Sequence, residues 1–152
     1  MGNEAQDIAS GTPQIDQRSW EIGVITAFAE IVDVGVKKLA ISGTMPRAEV
    51  ESLWEEATKI ANENQVSLYR EPELLVSDLF PADVAKGKEV LLIYKASTLE
   101  EYMALKREKA LLVKSGRYTG KAREGIARQF DRLLSYPESG IDVLLKKNTV
   151  RE

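Results

Sequence analysis

Two residue types are missing from this chain: its 152 residues include no cysteine and no histidine. The first absence excludes disulfides, thiolate nucleophiles and zinc ribbons. The second removes the commonest metal ligand and the commonest general base. Any catalysis would rest on Asp, Glu, Lys, Arg, Tyr, Ser or Thr, or on a borrowed cofactor, and no metal-ligand cluster or cofactor motif is found. Acid–base chemistry by a lysine and a carboxylate, without a protein-bound metal, is the enzymatic form that remains open. Long apolar runs are absent too. The longest, residues 22–36, is interrupted by Thr26, Glu30 and Asp33, so it does not read as a membrane span. The first eighteen residues are polar and acidic, unlike a secretory leader, and Gln6 departs from the myristoylation pattern that Met1-Gly2 begins. The expectation is a cytoplasmic protein with no membrane partner.

What is present divides sharply by charge. Residues 1–85 carry 15 acidic and 6 basic groups, whereas residues 86–152 carry 9 acidic and 15 basic. Either the halves complement each other, within one domain or across a homo-oligomer, or the basic half meets an anionic partner. A sequence pI near 5.2 and the lack of an aromatic-interleaved basic motif disfavour nucleic acid.

Residues 1–18 contain Gly2, Gly11 and Pro13 without an apolar period and read as a flexible tail; residues 19–152 read as one α/β domain. Ser19 caps a predicted helix over 20–34 whose apolar residues cover most directions, which predicts a buried N-terminal helix. The stretch 36–70 reads as strand, helix, strand, with Thr44 as the helix cap and Val50, Leu53, Trp54, Ala57, Ile60 and Ala61 on the inner face. Its spacing fits a right-handed βαβ crossover between parallel strands. Residues 74–80 give a third strand candidate and 89–95 the strongest one, a continuous apolar run that predicts a central strand buried on both faces. Overlapping capping boxes, Ser97 with Glu100 and Thr98 with Glu101, start a helix to about Val113. A second helix over 119–134, with Ala122, Ile126, Phe130 and Leu133 inward, and a short one over 141–147 complete a helical C-terminal part at 119–147. The predicted architecture is a single layered α/β domain of about four strands in a mixed sheet, closed by a C-terminal helical hairpin.

Open α/β sheets bind ligands beyond the carboxyl ends of their strands, and helix N-termini there favour anions. Two candidates follow: Ser42, Gly43 and Thr44 after the first strand, and Lys95, Ser97 and Thr98 after the strongest one. The plainer alternative is that Thr44 and Ser97 only cap helices. Lys106 is more unusual, because it lies in the apolar stripe of Leu99, Tyr102, Met103, Ala110 and Val113. An inward lysine snorkels outward, pairs with a buried acid, or serves as a functional cation or base. Glu30, on the polar strip of an otherwise apolar helix, and Asp78, near a strand end, are its candidate carboxylate partners. The run Gly116–Ala122 lacks the spacing and the terminal Ser or Thr of a phosphate-binding loop. The leading expectation is therefore a domain binding a small anionic metabolite at the strand ends, using phosphate or carboxylate recognition. The alternative is a non-catalytic homo-oligomeric interaction module.

Overall fold

Val90, Leu91, Leu92 and Ile93 have no solvent-accessible surface, and the sheet is built around the strand they form. The computed structural model describes residues 13–152. Within it run α1 (Gln17–Asp33), β1 (Leu39–Ile41), α2 (Arg47–Glu63), β2 (Ser67–Glu71), β3 (Val90–Tyr94), α3 (Thr98–Lys114), α4 (Gly120–Leu133) and α5 (Glu138–Lys147). The sheet order is β1-β3-β2, and β3 is antiparallel to both neighbours. Leu39 faces Tyr94 across one ladder, and Ser67 faces Tyr94 across the other. Alternate β3 side chains then serve opposite layers. Leu91 and Ile93 pack with α1 and α2, while Val90 and Leu92 pack with α3 and α4.

Three expectations about the sheet change. It has three strands rather than four, and its pairing is antiparallel rather than mixed. β1 and β2 do share a direction across α2, but β3 lies between them, so 36–70 is not a hydrogen-bonded parallel pair. Hydrophobic periodicity fixes each strand's faces but carries no information about which strand becomes its neighbour. Residues 74–80 form no strand. Leu75 and Leu79 are buried there, but side chains rather than a ladder satisfy the backbone. Leu75 N–H donates to the Tyr102 hydroxyl at 3.0 Å. Lys109 Nζ donates to Val76 O at 2.7 Å, and Asn148 Nδ2 to Asp78 O at 3.0 Å and Phe80 O at 2.9 Å.

Local signals also shift. The α1 cap is Asp16, whose carboxylate accepts Ser19 N–H at 3.1 Å, so the helix begins before Ser19. Gln17 and Arg18 are thus helical, not part of a tail, and residues 1–12 of the expected tail lie outside the described residues. Nor is α1 buried all round: Ile25, Ala29 and Val32 face the core, while Trp20 and Val34 are 54% and 67% exposed. On α2 the predicted face is buried except for Trp54. Pro46, not Thr44, occupies its cap position, and neither capping box at the start of α3 forms a side-chain cap bond. The hairpin of α3 and α4 closes over β3 with Tyr102 and Phe130 rings 6.0 Å apart.

One charged group sits inside this packing. Asp131 on α4 is fully buried, and neither carboxylate oxygen has a hydrogen-bond partner. Burial pushes its pKa up to about 6, Glu138 adds to the rise, and Arg128 and Lys37 oppose it. Lys37 itself is held by Leu134 O at 2.6 Å and lies 4.8 Å from the Tyr136 ring centre. Because the folded value exceeds the unfolded one, Asp131 favours the fold at low pH, and this contribution is lost as pH rises through about 6. The expected outcome is that Asp131→Asn gains stability relative to wild type between pH 4.5 and 7.5, by roughly 1–3 kcal/mol. Denaturant melts across that range check it; parallel profiles for the two proteins would contradict it.

Candidate functional site

The first candidate, Ser42-Gly43-Thr44, follows β1, but its atoms are already engaged. Ser42 Oγ accepts Leu91 N–H at 2.8 Å and donates to Gly43 O at 2.9 Å, which locks the turn to β3. Glu21 reaches over from α1. It is 3% exposed, accepts from Gln17 Nε2 at 3.0 Å through Oε1, and leaves Oε2 without a partner. Burial raises its pKa, with Glu49 adding to the rise, while the Gln17 bond and the Gly43 backbone lower it. A Cβ on Gly43 would collide with this carboxylate, so a side chain there would push the Glu21 carboxyl aside. An acid therefore stands where an anionic ligand was expected.

The second candidate, Lys95-Ser97-Thr98, lies at the other end of the sheet. β1 and β3 are antiparallel, so the residues after Ile41 meet Leu91 while those after Tyr94 lie beyond Leu39. The two helix starts do not converge. Lys95 Nζ binds Asp33, reaching its backbone oxygen at 3.0 Å and its carboxylate. Thr98 is buried, and Ser97 makes no side-chain cap bond.

Lys106 is paired, as one of its readings anticipated, but with neither expected partner. Its Nζ donates to Glu71 Oε2 at 3.0 Å and to Glu73 O at 2.6 Å. Glu71 closes β2 with its carboxylate 2% exposed and also accepts Glu73 N–H at 2.9 Å. Glu30 is exposed on α1, across the sheet from α3. Asp78 is held on the α3 side by a two-bond clamp from Arg123, at 2.8 and 2.7 Å, with Arg151 Nη1 at 3.6 Å. The Arg123 bonds hold its carboxyl below the usual range against the cost of burial.

Beside Lys106 the structure opens a groove of about 730 Å³, running along α3 opposite residues 73–76. Leu74, Leu75, Val76, Ala110 and Val113 form apolar walls, and Lys106, Lys109, Lys114 and Arg123 border it. Lys109, one turn beyond Lys106 on the same face, has a side chain only 13% exposed. Its Nζ donates to Val76 O and, at 2.6 Å, to the Glu152 carboxylate. Arg123 Nη2 also donates to Glu152 O at 3.2 Å. Both cations stack on Tyr118, at 5.2 Å for Lys109 and 4.9 Å for Arg123. The Tyr118 hydroxyl has no solvent access and no partner, and burial pushes its pKa up to about 12. Neutral at physiological pH, it is available as a donor.

Lys109, Tyr118, Arg123, Glu71 and Glu21 were missed as site residues by sequence reasoning. Spacing could have found Lys109, since 102, 106, 109 and 113 share one helix face. Arg123 belongs to a basic run that reads as a solvated face. Arg128 and Arg132 from that run pair instead with Glu124, Asp142 and Glu138, so much of its charge is already met. The charge division between halves is met in part within the chain: among the described residues, four ion pairs join an acid of residues 1–85 to a base of residues 86–152, through Asp33, Glu71 and Asp78. Also among the described residues, no group of three or more Asp or Glu side chains could hold a metal ion, and no helix is long and apolar enough to cross a membrane. Compared with protein-family models, curated proteins and solved structures, the chain matches none.

Proposed function

We propose that this domain binds a small anionic ligand with an apolar body in the groove along α3, rather than at the strand ends. One observation carries the reading: Lys109, partly buried beside apolar walls, holds a carboxylate there, that of Glu152. A buried ammonium needs an anion, and a charge-assisted bond in such surroundings contributes about 1.5–3 kcal/mol. Tyr118 and Arg123 stand beside it to fix orientation, and Leu74, Leu75 and Val113 offer apolar contact. Few polar groups in a mostly apolar cleft is the usual form of a small-molecule site. The reading is one of binding, since Lys106, Asp78 and Arg123 are each already engaged by an opposite charge. Calorimetric titration of the full chain with hexanoate checks it. Saturable binding is expected, weakened about tenfold or more in Lys109→Met, which keeps the apolar stem and removes the charge. Equal affinity in both proteins, or no heat in either, would contradict it.

A second reading, self-association through α1, is supported by the exposed Trp20 on that helix and the exposed Val34 at its C-cap. It predicts a concentration-dependent sedimentation coefficient that Trp20→Lys lowers to a monomer value. A monomer at every concentration contradicts it.

A further inference from the structure

The groove can be assigned a ligand charge as well as a location, an inference that rests on the binding reading above. The cations that border it are not equivalent. Glu71 neutralises Lys106 at 3.0 Å, with a carboxylate that is itself 2% exposed. Asp78 neutralises Arg123 through two hydrogen bonds. Lys114 is exposed at the end of α3, where solvent screens it. That leaves Lys109, whose side chain is 13% exposed and whose only carboxylate partner among the described residues is Glu152. Glu152 is the half of this pair that water can solvate: its side chain is 46% exposed, so releasing it costs little, whereas the 13% exposed Lys109 side chain would be left without an anion.

We propose that the ligand is a monocarboxylate with an apolar chain, and that it binds by taking the place of the Glu152 carboxylate on Lys109. One uncompensated ammonium matches one negative charge. A second negative charge, as on a phosphate monoester, would find only the exposed, solvent-screened Lys114 as a further unpaired cation among those bordering the groove, with the Glu73 carboxylate beside it. The backbone around Glu152 is held by Ala82 N–H to Val150 O at 2.9 Å, by Val150 N–H to Asn148 Oδ1 and by Arg123 Nη2 to Glu152 O at 3.2 Å, so only the Glu152 side chain has to yield.

The test titrates hexanoate and hexyl phosphate, at a pH where the phosphate is dianionic, into wild type, Glu152→Ala and Glu152→Gln. Removing the internal competitor is expected to tighten hexanoate about tenfold in Glu152→Ala, because the competent state no longer has to be freed. Glu152→Gln, which keeps the side-chain shape, should tighten it in the same direction. Hexyl phosphate should bind more weakly than hexanoate to every protein. If wild type binds hexanoate and neither variant binds it more tightly, the displacement is overturned while the groove stands as a site. If hexyl phosphate binds more tightly than hexanoate, the charge assignment is overturned. If hexanoate binds none of the three, both this inference and the binding reading fall.

Discussion

Burial of β3 on both faces is the constraint from which the architecture follows. Four consecutive apolar side chains, Val90 to Ile93, are withdrawn from water, each stabilising the fold by roughly 1.5–3 kcal/mol. A strand buried on two faces demands a layer on each side and a hydrogen-bonded neighbour on each edge. β1 and β2 supply the edges, α1 with α2 one layer, and α3 with α4 the other. The groove exists because the second layer is incomplete. No strand or helix covers the stretch after β2, so residues 73–76 run alongside α3 with their backbone tied to its side chains.

That substitution of side chains for a ladder gives the α3 side its character. Tyr102, Lys106 and Lys109 lie on successive turns of one helix face, and each bonds the backbone of residues 73–76. A lysine that bonds backbone along an apolar wall brings its charge partly into the protein, and the charge then requires an acid. Glu71 and Glu152 answer that requirement in different ways, one from a rigid strand end and one from a half-exposed side chain. On the proposed reading, this difference separates a structural lysine, Lys106, from one that accepts a ligand, Lys109.

Much of the fold was legible in the sequence. The run 89–95 announced a doubly buried strand, the period of 50–61 gave the inner face of α2, and Ile126, Phe130 and Leu133 gave that of α4. Less legible were features that depend on partners distant in sequence. The insertion of β3 between β1 and β2 leaves no local mark. Leu75 and Leu79 read as strand residues because they are buried, though their backbone has no strand partner. Glu21 was hidden among apolar neighbours in a helix whose outer side, marked by Trp20, remains in solvent. At the site, Lys106 was recognised as inward because its stripe is apolar. Its partner was not, because Glu71 lies 35 residues away in the chain and meets Lys106 only in the folded protein.

At the strand ends Glu21 and Asp33 already meet the available groups, which leaves the α3 groove as the proposed site. The most direct measurement is the nitrogen–proton correlation spectrum of the full chain during titration with hexanoate. Saturable shifts concentrated at Val76, Lys109, Tyr118 and Glu152 are the predicted result. Shifts centred on Ser42–Thr44 or on Lys95–Thr98, or an unchanged spectrum, would contradict it.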